Sequence, residues 1–158
     1  MSRSLLSDQL LEVARARLAG ALHSEANLRR ATSDLYYAMF HAICDALVEP
    51  FGAVPDSSAF REAYRSLYRQ VDHGHVERQC RKIIDERKFS QPFLAFATHF
   101  VSLKNKREEA DYDPLETFDV EKVQNDLEMI ETRLAGFWSA PAAERSAFAF
   151  GVGLRRGN

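Results

Sequence analysis

Apolar residues recur three and four positions apart along most of the chain, and no stretch shows the two-residue alternation of a half-buried strand. Leu6, Leu10, Val13 and Arg17 open this pattern and predict a first helix over Ser4–Leu22, weakened near its end by Gly20. A second helix is predicted over 25–48, with Ser24 as its cap. Leu28, Ala31, Leu35, Met39, Ala42 and Ala46 form one of its stripes, and Tyr36, Phe40, Ile43 and Leu47 form another beside it. A helix apolar on two adjacent faces belongs at the centre of a bundle. Pro50, Gly52 and Pro55 then force a loop.

Ser58 is placed to cap a third helix over Ala59–Val71, which His73-Gly74-His75 interrupts before the pattern resumes from Val76 to Arg87. Ser90 and Pro92 start a fourth, carrying Phe93, Phe96, Ala97, Phe100 and Leu103 and stopped by Pro114. Thr117 is the expected cap of a fifth, with Asp119 and Glu121 in its first turn, Val120, Val123, Leu127, Ile130 and Leu134 on its stripe, and Gly136 at its close. Beyond Pro141 the chain is rich in Ala, Phe and Gly, either a flexible tail or a segment docked through Phe148 and Phe150. The pattern predicts an all-α protein, an antiparallel bundle of four to five helices in one domain over residues 1–140, with a tail over 141–158.

Composition agrees with one globular domain: 158 residues, 46% hydrophobic and 28% charged. A net charge of −2 excludes a broadly polycationic or polyanionic protein. That sum hides an uneven spread, because most arginines come early and acidic residues gather between Glu108 and Glu131. Cys44 and Cys80 cannot make a disulfide framework and no C-x-x-C occurs, which fits a reducing compartment. No apolar run approaches the length of a membrane span. Arg3, Arg15 and Arg17 among Ser and Leu resemble a transit peptide faintly, but Asp8 and Glu12 oppose that reading. A cytoplasmic protein away from membranes is expected.

Several chemistries lack their residues. There is no Gly-rich phosphate loop, no H-E-x-x-H and no Glu-x-x-His pair of the kind that di-iron bundles use. Cys44 lies three residues beyond His41, but two ligands make a poor metal site, so neither a metal nor a cofactor is expected. A helix-turn-helix around His73-Gly74-His75 lacks an obvious recognition helix.

Three constellations remain. Arg30, Asp34, Tyr37 and His41 share one face of the second helix. They form either a polar site with His41 as acid or base, or a structural seam in which Arg30 pairs with Asp34. In the third helix Arg61, Arg65 and Arg69 lie four apart beside Tyr64 and Tyr68, and Arg78, Arg81 and Lys82 continue the positive charge. Guanidinium groups grip phosphates and aromatic faces stack on bases, so the stretch reads either as an RNA-binding rail or as a solvated helix face. In the fourth helix Arg107 continues an apolar stripe, with Asp111 one turn on. A charge on such a stripe needs a partner, giving either a structural ion pair or a phosphate clamp.

The run Ala31-Thr32-Ser33-Asp34-Leu35-Tyr36-Tyr37-Ala38-Met39-Phe40-His41-Ala42, then Tyr68-Arg69-Gln70-Val71-Asp72-His73-Gly74 and Arg107-Glu108-Glu109-Ala110-Asp111-Tyr112-Asp113-Pro114, resembles the signatures of prokaryotic HEPN-domain proteins. The resemblance spans roughly residues 25–137. It implies a helical bundle that dimerises, toxin or defence roles, a minimal nucleotidyltransferase as cognate partner, and in many members metal-independent cleavage of RNA. Catalytic members carry an arginine followed a few residues later by a histidine, late in the bundle. After Arg107 those positions hold Tyr112, Asp113 and Pro114, so the usual histidine is absent. Arg17 to His23 and Arg69 to His75 have comparable spacing, which chance alone supplies in a chain this rich in arginine. If the protein cuts RNA, Arg107 is the expected phosphate clamp, His73 or His41 the acid/base, and Asp111 and Tyr112 the residues that orient the site. A non-catalytic dimerising interaction module is the competing reading. A ligand pocket around Arg30, Asp34, Tyr37 and His41 is a third.

Overall fold

The computed structural model describes residues 5–21, 23–52 and 57–155. Ser4, Leu22, Pro55 and Arg156, which belong to the expected element ends, loop and tail, lie outside them. The described residues are helical with no strand, in seven α-helices: α1 (Leu6–Ala19), α2 (Glu25–Val48), α3 (Ser58–Arg69), α4 (His73–Glu86), α5 (Gln91–Tyr112), α6 (Val120–Ser139) and α7 (Ala142–Gly153).

α2 is the central element, as its two apolar stripes require. It packs against α1, α3, α5, α6 and α7, and Leu35, Tyr36, Met39, Ile43 and Leu47 along it are fully buried. Around it an aromatic cluster joins α5, α6 and α7, with Phe93, Phe96, Phe137 and Phe148 at centroid separations of 4.6–6.1 Å. Ring pairs of this kind add about 0.5–1.5 kcal/mol each beyond their burial.

The expected helix count changes at two places. α3 and α4 are separate helices, and the break falls before His73 rather than across His73-Gly74-His75. Asp72 decides this: its side chain accepts from the His75 backbone N–H at 2.8 Å and caps α4, so both histidines lie in a helical first turn. The segment after Pro141 is α7, because Phe148, Ala149 and Val152 share a face that buries completely, while Phe150 is partly exposed. Arg145 fixes it in place, donating to Glu49 at 2.8 Å and to the carbonyls of Trp138 and Ala140.

Other boundaries shift by a residue or a turn. Ser57 rather than Ser58 caps α3, and Asp119 rather than Thr117 caps α6 by accepting from two backbone N–H groups. Gly136 does not close α6, which continues to Ser139. Arg87 ends α4 in the left-handed region, at φ 52°. No helix among the described residues is long and apolar enough to cross a membrane.

Candidate functional site

α2 presents Ser33, Tyr36, Tyr37, Phe40 and His41 toward α3, the first turn of α4 and the last turns of α5. These neighbours bring in Tyr68, His73, Arg107 and Asp111. Two bonds organise the cluster. His73 Nδ1 lies 2.6 Å from the Tyr36 hydroxyl, and His41 Nδ1 lies 2.6 Å from the Tyr68 hydroxyl. Each imidazole is thus oriented by a phenol, and Nε2 is the nitrogen left to trade a proton. Tyr68 in turn donates to Asp45 at 3.5 Å. His73 is stacked on Phe40 at 3.9 Å, and Tyr37 stands between the two histidines, 5.8 Å from His73 and 6.4 Å from His41.

Burial sets the protonation states. It pushes the Tyr36 and Tyr68 phenols far above their ordinary value, so both stay protonated. It also holds both histidines below theirs, and at His73 the Arg107 cation adds to the effect while Asp72 opposes it. Both rings are neutral at pH 7.

Arg107 is the charge of the site. Its side chain is 11% exposed, and its guanidinium lies 5.0 Å from the Tyr36 ring centre and 5.9 Å from that of Tyr37. Such stacking on π faces stabilises a desolvated cation. Asp111 is a weak partner, 3.4 Å away, because its other carboxylate oxygen accepts from Ser33 Oγ at 2.7 Å. Arg107 Nε is buried without a hydrogen-bond partner. The guanidinium is therefore oriented by rings and under-supplied with acceptors, which suits it to an anionic ligand. One turn earlier, Lys104 bridges Glu77 of α4 at 3.0 Å and Glu108 of α5. That ion triad ties the helix of His73 to the helix of Arg107.

The arrangement brings Arg107, Asp111, His73, His41 and Tyr37 together. Tyr112 is not with them: it is 77% exposed at the last turn of α5. Arg30 is exposed and does not pair with Asp34, whose partner is Arg17 at 2.7 Å. α3 splits the expected rail. Arg61, Arg65 and Arg69 face solvent, Tyr68 turns inward to His41, and Tyr64 lines a small apolar pocket with Phe51, Phe60 and Leu67. On α4, Arg81 pairs with Glu77 at 2.8 Å, whereas Arg78 and Lys82 face a different groove.

Sequence reasoning missed Tyr36, because it sits on a stripe that reads as core, and Ser33, whose partner Asp111 arrives from a helix distant in sequence. It also missed Arg29, which donates to the carbonyls of Glu109, Ala110, Asp113 and Glu116 and holds the chain that leaves α5. Among the described residues no group of three or more His, Cys, Asp or Glu side chains is placed to hold a metal ion. The chain matches no family model, no curated protein and no solved structure.

Proposed function

We propose that this chain is a HEPN-like protein that contacts RNA and cleaves it as a metal-independent endoribonuclease, acting as a homodimer in a toxin or defence setting. A minimal nucleotidyltransferase is the cognate partner this reading favours. The observation that carries it is the convergence on Tyr36 of His73, at 2.6 Å from the hydroxyl, and Arg107, over the ring. A proton-transfer group and an under-paired guanidinium side by side are what attack by a 2′-hydroxyl on its own phosphodiester needs.

In this scheme His73 takes the 2′-hydroxyl proton, since Arg107 and burial keep it neutral. The 2′-oxygen bonds to phosphorus, and Arg107 offsets the charge that builds on the phosphorane. The bond to the 5′-oxygen breaks and that oxygen takes a proton from the imidazolium form of His41. A 2′,3′-cyclic phosphate and a free 5′-hydroxyl result. The test is incubation of purified protein with single-stranded RNA in EDTA. Cleavage leaving cyclic phosphate ends, reduced about 10²-fold or more in Arg107→Ala and His73→Gln, supports the assignment; undiminished cleavage in Arg107→Ala overturns it.

A second reading, a non-catalytic dimerising module, is favoured by the apolar surface at the end of α5 and just beyond it, where Tyr112 and Leu115 are 77% and 88% exposed. Absence of cleavage on any RNA, with self-association lost in Leu115→Asp, would select it.

A further inference from the structure

α4 and α7 enclose an open groove of about 820 Å³ on the far side of α4 from His73, lined by His75, Arg78, Lys82, Phe150, Leu154 and Arg155. Spacings of three and four along α4 align His75, Arg78 and Lys82 on one wall. The C-terminal part of α7 and the residues just after it supply the other. None of the described residues lining the groove is acidic. Asp72 reaches Arg155 at 3.6 Å and Glu86 reaches Lys82 at 3.8 Å, both loose exposed pairs that water and salt screen. Glu77, on the same helix, is turned away to Arg81 and Lys104. Arg78 has no carboxylate within ion-pair distance among the described residues. Phe150, 38% exposed, and Leu154, whose carbonyl lies 3.2 Å from His75 Nε2, add apolar surface to the lining.

We infer that this groove binds a single-stranded RNA segment, with Arg78, Lys82 and Arg155 on its phosphates and a base stacked on Phe150. Charge complementarity calls for a polyanion, and the exposed ring among cations favours one with bases over an acidic peptide. The inference rests on the nuclease reading only for the strand's direction. His73 and His75 point to opposite sides of the first turn of α4, so a strand that crosses this turn reaches the groove and the Tyr36–His73–Arg107 cluster together. The groove then supplies affinity at a distance from the scissile bond. The exposed α3 arginines contribute nothing to it.

The experiment is fluorescence anisotropy of a labelled 2′-O-methyl oligouridylate, which lacks the attacking hydroxyl and so reports binding without cleavage. Arg78→Gln/Lys82→Gln is expected to bind at least ten-fold more weakly. Its salt dependence is expected to be shallower by about 1.4 in slope, since each phosphate that a single strand has neutralised contributes about 0.7 and this variant leaves two of them bare. Phe150→Ala is expected to weaken binding about five-fold, the lower end for removal of one stacked base. Arg155→Gln, on an exposed side chain at the end of the helix, repeats the test where folding is not at stake. Arg107→Ala is expected to cut cleavage of ordinary RNA by about 10²-fold or more.

Unchanged affinity and slope in the groove variants overturn the groove and leave the nuclease reading standing. Groove-dependent binding with no cleavage of ordinary RNA does the reverse. Failure of the wild-type protein to bind the oligouridylate, or equal binding of a poly-glutamate peptide that the same variants abolish, also overturns the groove, the latter in favour of an acidic protein partner.

Discussion

The Tyr36 hydroxyl holds His73 Nδ1 at 2.6 Å from inside the central helix, and the same phenol's ring carries the Arg107 guanidinium. One buried side chain thereby sets the positions of both a proton carrier and a cation. Tyr36→Phe keeps the ring and removes the bond. Stability is expected to fall by about 1 kcal/mol, the net worth of one hydrogen bond. Cleavage in single turnover is expected to fall about ten-fold or more as the imidazole loses its orientation. An unchanged rate would remove Tyr36 from the site.

Arg107→Lys keeps a positive charge but loses the planar fork and its stacking on Tyr36 and Tyr37. It is expected to recover little of the activity missing in Arg107→Ala, whose deficit is placed at about 10²–10³-fold by analogy with removal of a charge-stabilising donor. Full activity of the lysine variant would show that a point charge suffices.

The pH profile of cleavage follows from the two histidines. In the proposed scheme His73 is the neutral base and His41 the protonated acid, and burial holds both below the ordinary histidine value of 6.5. A bell with its maximum on the acid side of 6.5 is expected in kcat/KM. His73→Gln is expected to remove the acidic limb from residual activity, and His41→Gln the alkaline one. A maximum above pH 7 would contradict the assignment.

Stability has its own pH dependence. A histidine whose value is lowered on folding binds protons better in the unfolded chain. Its contribution is complete above 6.5 and is lost as pH falls from there through the lowered folded value. At His73 the groups that matter are Arg107 and Lys104 from α5, His41 and Tyr36 from α2, and Asp72 at the cap. Thermal unfolding is expected to show Tm dropping below pH 6.5, and the drop is expected to shrink in His73→Gln. Equal slopes in variant and wild type would place the titration elsewhere.

Arg87 ends α4 in the left-handed region, a conformation that costs a residue with a Cβ about 1–2 kcal/mol. Arg87→Gly relieves it, against a penalty of about 0.5–1 kcal/mol from the extra freedom of glycine in the unfolded chain. A net gain of up to about 1.5 kcal/mol is expected by urea denaturation, with cleavage unchanged.

Much of this was legible in the sequence because helical periodicity is a local signal. The two stripes of α2 announced its central place, and the spacing of Arg107 and Asp111 announced an ion pair on an apolar stripe. The cluster itself was not legible. Tyr36 meets His73 and His41 meets Tyr68 across the bundle, and each pairing depends on how helices distant in sequence cross. The Arg30–Asp34 pair failed for the same reason: proximity along α2 was outweighed by Arg17 arriving from α1. The break before His73 turned on one side chain, Asp72, which reads equally well as a loop residue or a cap.

Phe148 sits between Phe93, Phe96 and Phe137 and fills the middle of the aromatic core from the latest of the seven helices. A nascent chain that has already made α1 to α6 therefore carries an open aromatic socket until α7 is synthesised. Tyr36, His73 and Arg107 are all translated before that moment. Closure of the aromatic core is thus timed to α7, which is made after the other six described helices.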